Sequence, residues 1–151
     1  MNYRVWTPAT PTEDLRELSD GERKIYYGPR QFAAVWDLAA IQAALAAGTL
    51  PVIATPKAQK EMFEKLAWGA KEPRLFLKAL SRSRYVRSEW CYAPKGNTPH
   101  ACDVYLMGFS KAKGEENPYL LPWVYAKFGF IGPAFTNLAF FSAHPEGEYK
   151  E

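Results

Sequence analysis

Apolar residues recur along this chain with two periods, near 3.6 in its first half and near 2 after residue 84. Within residues 31–47, Phe32, Val35, Leu38, Ile41 and Leu45 fall at helical spacing among many alanines, and Gly48 follows as a stop. Asp37 is an alternative start of that helix, as an N-cap. Residues 49–54 read as a short extended connection. Thr55-Pro56 places a cap before a proline at the first helical position and opens a second helix to about Trp68, with Met62, Phe63 and Leu66 on its apolar face. Pro73 opens a third, with Leu75, Phe76 and Leu80 inward and Arg74, Lys78 and Arg82 toward solvent.

The second half reads as strands. Residues 85–92 form the first, 94–99 a loop of turn residues, and 101–109 the second. A charged, flexible connection over 111–118 leads to the third strand, 121–131. Gly132-Pro133 turns into the fourth, 135–141, which runs into Ser142 and His144. In the third strand Val124, Ala126, Phe128 and Phe130 suit a core, which puts Trp123, Tyr125 and Lys127 in a row on the opposite face. In the second, Cys102, Val104 and Leu106 are expected inward and Asp103, Tyr105 and Met107 outward. Helices followed by a meander predict an α+β fold, with N-terminal helices packed on a four-stranded, mainly antiparallel sheet. The expected organisation is an irregular arm over residues 1–30 and a single α+β domain over 31–151.

Composition sharpens this picture only in places. A hydrophobic content of 48% with 23% charged residues is ordinary for a soluble domain, and a net charge of +3 permits an anionic partner without demanding one. Residues 71–87 carry six cations against the single acid Glu72, a locally one-signed segment that suits phosphate contact or a solvated helix face. Two cysteines and two histidines with no paired spacing argue against a metal site, and no cofactor is expected. Cys91 and Cys102 lie on adjacent strands, either facing each other or as two free buried thiols. The first thirty residues hold no apolar leader. The apolar stretch over 119–142 is interrupted by Pro122, Lys127, Gly129, Gly132, Pro133 and Asn137, so a cytoplasmic protein without a membrane partner is expected.

A sheet face bearing aromatics, a cation and a nearby histidine suits single-stranded nucleic acid, though it also suits a second face packed under other segments. Over residues 36–145 the chain resembles the RelE-like ribonuclease toxins, in particular the motility quorum-sensing regulator toxins. "IQAALAAG" followed by a short extended piece resembles their opening helix, and "RLFLKAL" the segment with a catalytic-site lysine, which would fall on Lys78. "WVYAKFGFI" resembles their tyrosine-bearing strand, placing that tyrosine at Tyr125 beside Lys127. "LAFFSAHPE" resembles their closing strand, whose basic position would be His144. The arm and the 111–118 insertion have no counterpart there, and "VYLMGF" around Tyr105 competes with Tyr125. The resemblance implies metal-independent cleavage of messenger RNA, usually on the ribosome, and neutralisation by a protein antitoxin.

Such cleavage uses the 2′-hydroxyl as nucleophile and needs a base, an acid and cations. His144 is the candidate for proton transfer. Lys127, Lys78, Arg84 and Arg87 are candidates for charge stabilisation or RNA binding, and Tyr125, Tyr105 and Trp123 for stacking. Glu89 is a conceivable base or a cross-strand salt-bridge partner. The alternative function is a non-enzymatic protein-binding module, an inhibitor, immunity protein or phage antagonist, using the aromatic face.

Overall fold

Helices in this protein begin where a side chain replaces a missing backbone acceptor. Asp37 accepts from the Ala40 amide at 3.2 Å and starts α1 (Leu38–Ala46), so the alternative cap is the one used. Thr55 accepts from Ala58 at 3.0 Å and starts α2 (Pro56–Lys60), with proline in its first turn. The computed structural model describes residues 3–8, 34–92, 96, 98–132 and 136–146, so most of the expected arm and the Gly132-Pro133 turn's second residue lie outside it.

After α2 the helix widens into a π-helical turn (Glu61–Lys65), which changes the side that faces inward. Met62 is buried as expected, but Phe63 is 53% exposed and the buried position beside Met62 is taken by Glu61. The third helix, α3 (Glu72–Ala79), buries Phe76 and Leu77, and a 3-10 turn (Arg82–Arg84) leads into the sheet.

The strands are β1 (Val52–Ile53), β2 (Tyr85–Tyr92), β3 (Pro99–Met107), β4 (Phe109–Ser110), β5 (Glu115–Glu116), β6 (Val124–Ile131) and β7 (Asn137–Pro145). The main sheet has order β1-β7-β6-β3-β2. The four long strands form the antiparallel meander, but β1 joins β7 in parallel, so the sheet is five-stranded and mixed, not four-stranded. A two-residue strand is too short to show a period, which is why it reads as mere connection. The 111–118 segment is likewise more ordered than expected: β4 and β5 pair around a tight turn.

One face of the sheet packs under the helices. Ala101, Tyr105, Met107, Val124, Ala126, Phe128, Phe130, Leu138 and Phe140 share a core with Leu38, Ile41, Leu45, Met62, Phe76 and Leu77. The third-strand alternation is as expected, but that of β3 is inverted. Tyr105 pairs with Ala126 and Asp103 with Phe128, so Asp103, Tyr105 and Met107 face the core while Cys102, Val104 and Leu106 face the other side. The cause is Asp103, fully buried, whose carboxylate accepts from the Val35 and Trp36 amides at 3.0 Å each and from Ser88 Oγ at 2.7 Å. It fastens the segment before α1 to the sheet. Tyr3 reaches the same core from the N-terminal side, stacked on Phe130 at 4.6 Å.

The open flank of β7 beyond β1 is closed by side chains. Glu61 Oε1 accepts from Ser142 Oγ at 2.9 Å and from the Ala143 amide at 3.2 Å, and Thr55 Oγ1 donates to the Phe141 carbonyl at 3.3 Å. Two irregularities interrupt the ladder, between Tyr85 and Arg87 in β2 and between Phe140 and Ser142 in β7, each adding a residue opposite a regular partner strand. Among the described residues, no helix is long and apolar enough to cross a membrane.

Candidate functional site on the second sheet face

The two bulges decide which side chains stand on the face away from the helices. Tyr85 faces the core against Tyr105, and strict alternation would send Arg87 there too. The extra residue, Val86, turns Arg87, Glu89 and Cys91 outward and Ser88 and Trp90 inward. In β7, Phe140 faces the core, and His144 four positions later would follow it. The extra residue at Phe141 reverses the phase, so Ala143 faces the core and His144 lies opposite Tyr125 on the other side. His144 is thus inside the last strand, not beyond its end as expected.

Five side chains from three strands meet as a result. Glu89 sits between two cations: Arg87 Nε donates to Oε1 at 2.5 Å and Lys127 Nζ lies 2.6 Å from Oε2. Arg87 also donates through Nη2 to the Tyr125 hydroxyl at 3.1 Å. The Tyr125 ring stacks on His144 with centroids 4.7 Å apart and planes 17° from parallel. His144 Nδ1 lies 2.9 Å from the Pro145 carbonyl. A carbonyl only accepts, so Nδ1 carries the hydrogen and Nε2 is the nitrogen that exchanges a proton.

The electrostatics follow from half-burial and pairing. Burial alone would push Glu89 up, but the Lys127 and Arg87 charges and hydrogen bonds outweigh it and hold the carboxyl below its ordinary range. Burial would lower Lys127, yet Cys91, Glu89 and Tyr125 raise it well above the usual lysine value. Burial raises the Tyr125 phenol. Glu89 is therefore ionised and Lys127 charged throughout the neutral range. Cys91 and Cys102 are both free and buried, packed together with Ala139 and Phe141. Burial and the neighbouring thiol push Cys102 well up. Lys127, which sequence proximity does not reveal, is the cation beside this pair.

Of the residues expected at the site, Tyr125, Lys127, His144 and Arg87 come together. Trp123 and Arg84 form a second pair, with the guanidinium 4.9 Å from the indole centroid and its Nε donating to Glu116 Oε2 at 2.6 Å. Tyr105 does not belong there. It is 1% exposed and stacks on Phe128 at 5.4 Å on the helix side. Lys78 does not either: it is exposed on α3, in the layer packed against the opposite face. Glu89 takes the central place that residue type alone left undecided, because only the diagonal from β2 across β3 to β6 reveals its two cations. Among the described residues no three His, Cys, Asp or Glu side chains group to hold a metal ion. No protein-family model matches this chain, and neither does any curated protein or solved structure compared with it.

Proposed function

We propose that the protein is a toxin-like endoribonuclease that cleaves single-stranded RNA by 2′-hydroxyl attack without a metal. The observation that carries this reading is the meeting of a carboxylate, two cations and an imidazole on one sheet face, with two bulges re-aiming Arg87 and His144 onto it.

In this reading Arg87 and Lys127 hold the non-bridging oxygens of the scissile phosphate. The anion competes with Glu89 for both cations, and as they turn toward it the carboxylate loses what held its basicity down, while its burial remains. Glu89 takes the 2′-hydroxyl proton, the 2′-oxygen bonds to phosphorus, and the bond to the 5′-oxygen breaks. His144 gives that oxygen a proton through Nε2. The products are a 2′,3′-cyclic phosphate and a 5′-hydroxyl. Tyr125, tied to Arg87 and stacked on His144, keeps the imidazole in place.

Purified protein incubated with a single-stranded RNA oligonucleotide is expected to yield ends of that chemistry, identified by mass. Glu89→Gln and His144→Ala should each lower kcat by about a hundredfold or more. A 2′-deoxy nucleotide at the cleaved position should block the reaction. Cleavage that survives both substitutions and the deoxy position rules the mechanism out. The second reading, a non-enzymatic module gripping a protein, is favoured by the exposure of Tyr119, Leu120 and Leu121.

A further inference from the structure

The segment between β5 and β6 carries Tyr119, 92% exposed, and Leu121, 76% exposed, the two most exposed large apolar side chains among the described residues. It is nevertheless firmly tied. The Asn117 amide donates to the Gly108 carbonyl at 2.9 Å, Tyr119 N to Asn117 Oδ1 at 3.0 Å, Leu120 N to the Asn117 carbonyl at 3.1 Å and Trp123 Nε1 to the Pro118 carbonyl at 3.1 Å. Gly108 lets the segment lie this close, since a Cβ there would come within 2.2 Å of the Asn117 carbonyl oxygen. A tied loop that leaves an aromatic ring in water has already lost the freedom that binding would otherwise remove.

Its position gives the ring a direction. Trp123 stands two residues before Tyr125 and its carbonyl accepts from Glu146 at 2.7 Å, so pairing extends to it and it shares the Tyr125 face. Rings thus run from Tyr119 through Trp123 and Tyr125 toward Lys127, with a step of about 7 Å along the strand. The Arg84 plane covers the indole and is clamped by Glu116.

We infer that Tyr119 and the Trp123–Arg84 pair form a stacking subsite for an unpaired nucleobase next to the phosphate held by Arg87 and Lys127. The inference rests on the ribonuclease reading and narrows its substrate to unpaired RNA, because a base inside a duplex offers no free face. Flat rings in line with a phosphate-binding cation pair favour a nucleic-acid strand over a protein, whose recognition does not call for a linear order.

The test is an anisotropy titration at low salt with a labelled single-stranded RNA, and with the same sequence as a duplex. Wild type should prefer the single strand. Tyr119→Ala should weaken that binding roughly 5- to 150-fold, the range of one lost base stack, and raise KM with kcat held, while Tyr119→Phe restores both. The ring is so exposed that its loss leaves the fold intact, which circular dichroism checks. Unchanged affinity in Tyr119→Ala, equal affinity for the duplex, or no RNA binding at all overturns the subsite, and the first result assigns the loop to a protein partner. The two proposals separate cleanly. Tyr119-dependent binding without any Glu89-dependent cleavage keeps the subsite and ends the enzyme, and Glu89-dependent cleavage indifferent to Tyr119 does the reverse.

Discussion

Two carboxylates show how differently burial acts when the partners differ. Burial pushes Asp103 from 3.8 up to about 6, against hydrogen bonds from Trp36, Ser88 and Val35. Its folded value lies above the unfolded one, so folding favours the protonated form. The stability it contributes is fully present below about pH 4 and is lost as pH rises through about 6, roughly 3 kcal/mol in all. Glu89, held low by Lys127 and Arg87, works in the opposite sense: its contribution is present above the unfolded carboxyl range and is lost as pH falls. Asp103→Asn is expected to flatten the decline between pH 4 and 6. It should also cost about 1–3 kcal/mol, because an amide group then faces a backbone N–H. Urea unfolding at a series of pH values measures both. A charged residue within a strand reads as outward-facing, and that assumption carried Tyr105 and Met107 to the wrong side with it. Three donors waiting inside are a tertiary fact that no local pattern holds.

At the scale of elements, alternation was legible where a strand is regular and both its neighbours are long. In β6, every second residue from Val124 to Phe130 is apolar, and the register follows. It failed at β1, too short to have a period, and at the π-helical turn, where one added residue exposes Phe63 and buries Glu61. That Glu61 is functional in the packing sense. It supplies the acceptor that a neighbouring strand would otherwise give to Ala143, while its second oxygen is buried with no hydrogen-bond partner. Glu61→Ala should therefore cost about 1–3 kcal/mol by leaving a buried N–H and hydroxyl unpaired, and Glu61→Gln, which keeps one acceptor oxygen, should cost less. Hydrogen exchange at the Ala143 amide, faster in the alanine variant, locates the loss at the helix–strand joint.

For the molecule as a whole, the helices cover one face of the sheet and the charged and aromatic groups gather on the other. Binding of RNA through Arg87 and Lys127 should weaken steeply with salt. Arg87→Ala is expected to flatten the plot of log affinity against log salt by about 0.7, the share of one phosphate contact on a single strand, as titrations at several salt concentrations would show. Residue types alone suggested the cations, the tyrosine and the histidine, but their convergence depends on Val86 and Phe141, two residues with no chemistry of their own. Which face a side chain takes beyond these points is a matter of counting. Removing exposed Val86 would leave Tyr85 inward and Arg87 outward, now by simple alternation. Adding one residue between Ala143 and His144 would instead turn the imidazole toward the helices. The face that carries the chemistry thus tolerates many substitutions along β2 and β7, but its tolerance of insertions and deletions follows odd and even numbers.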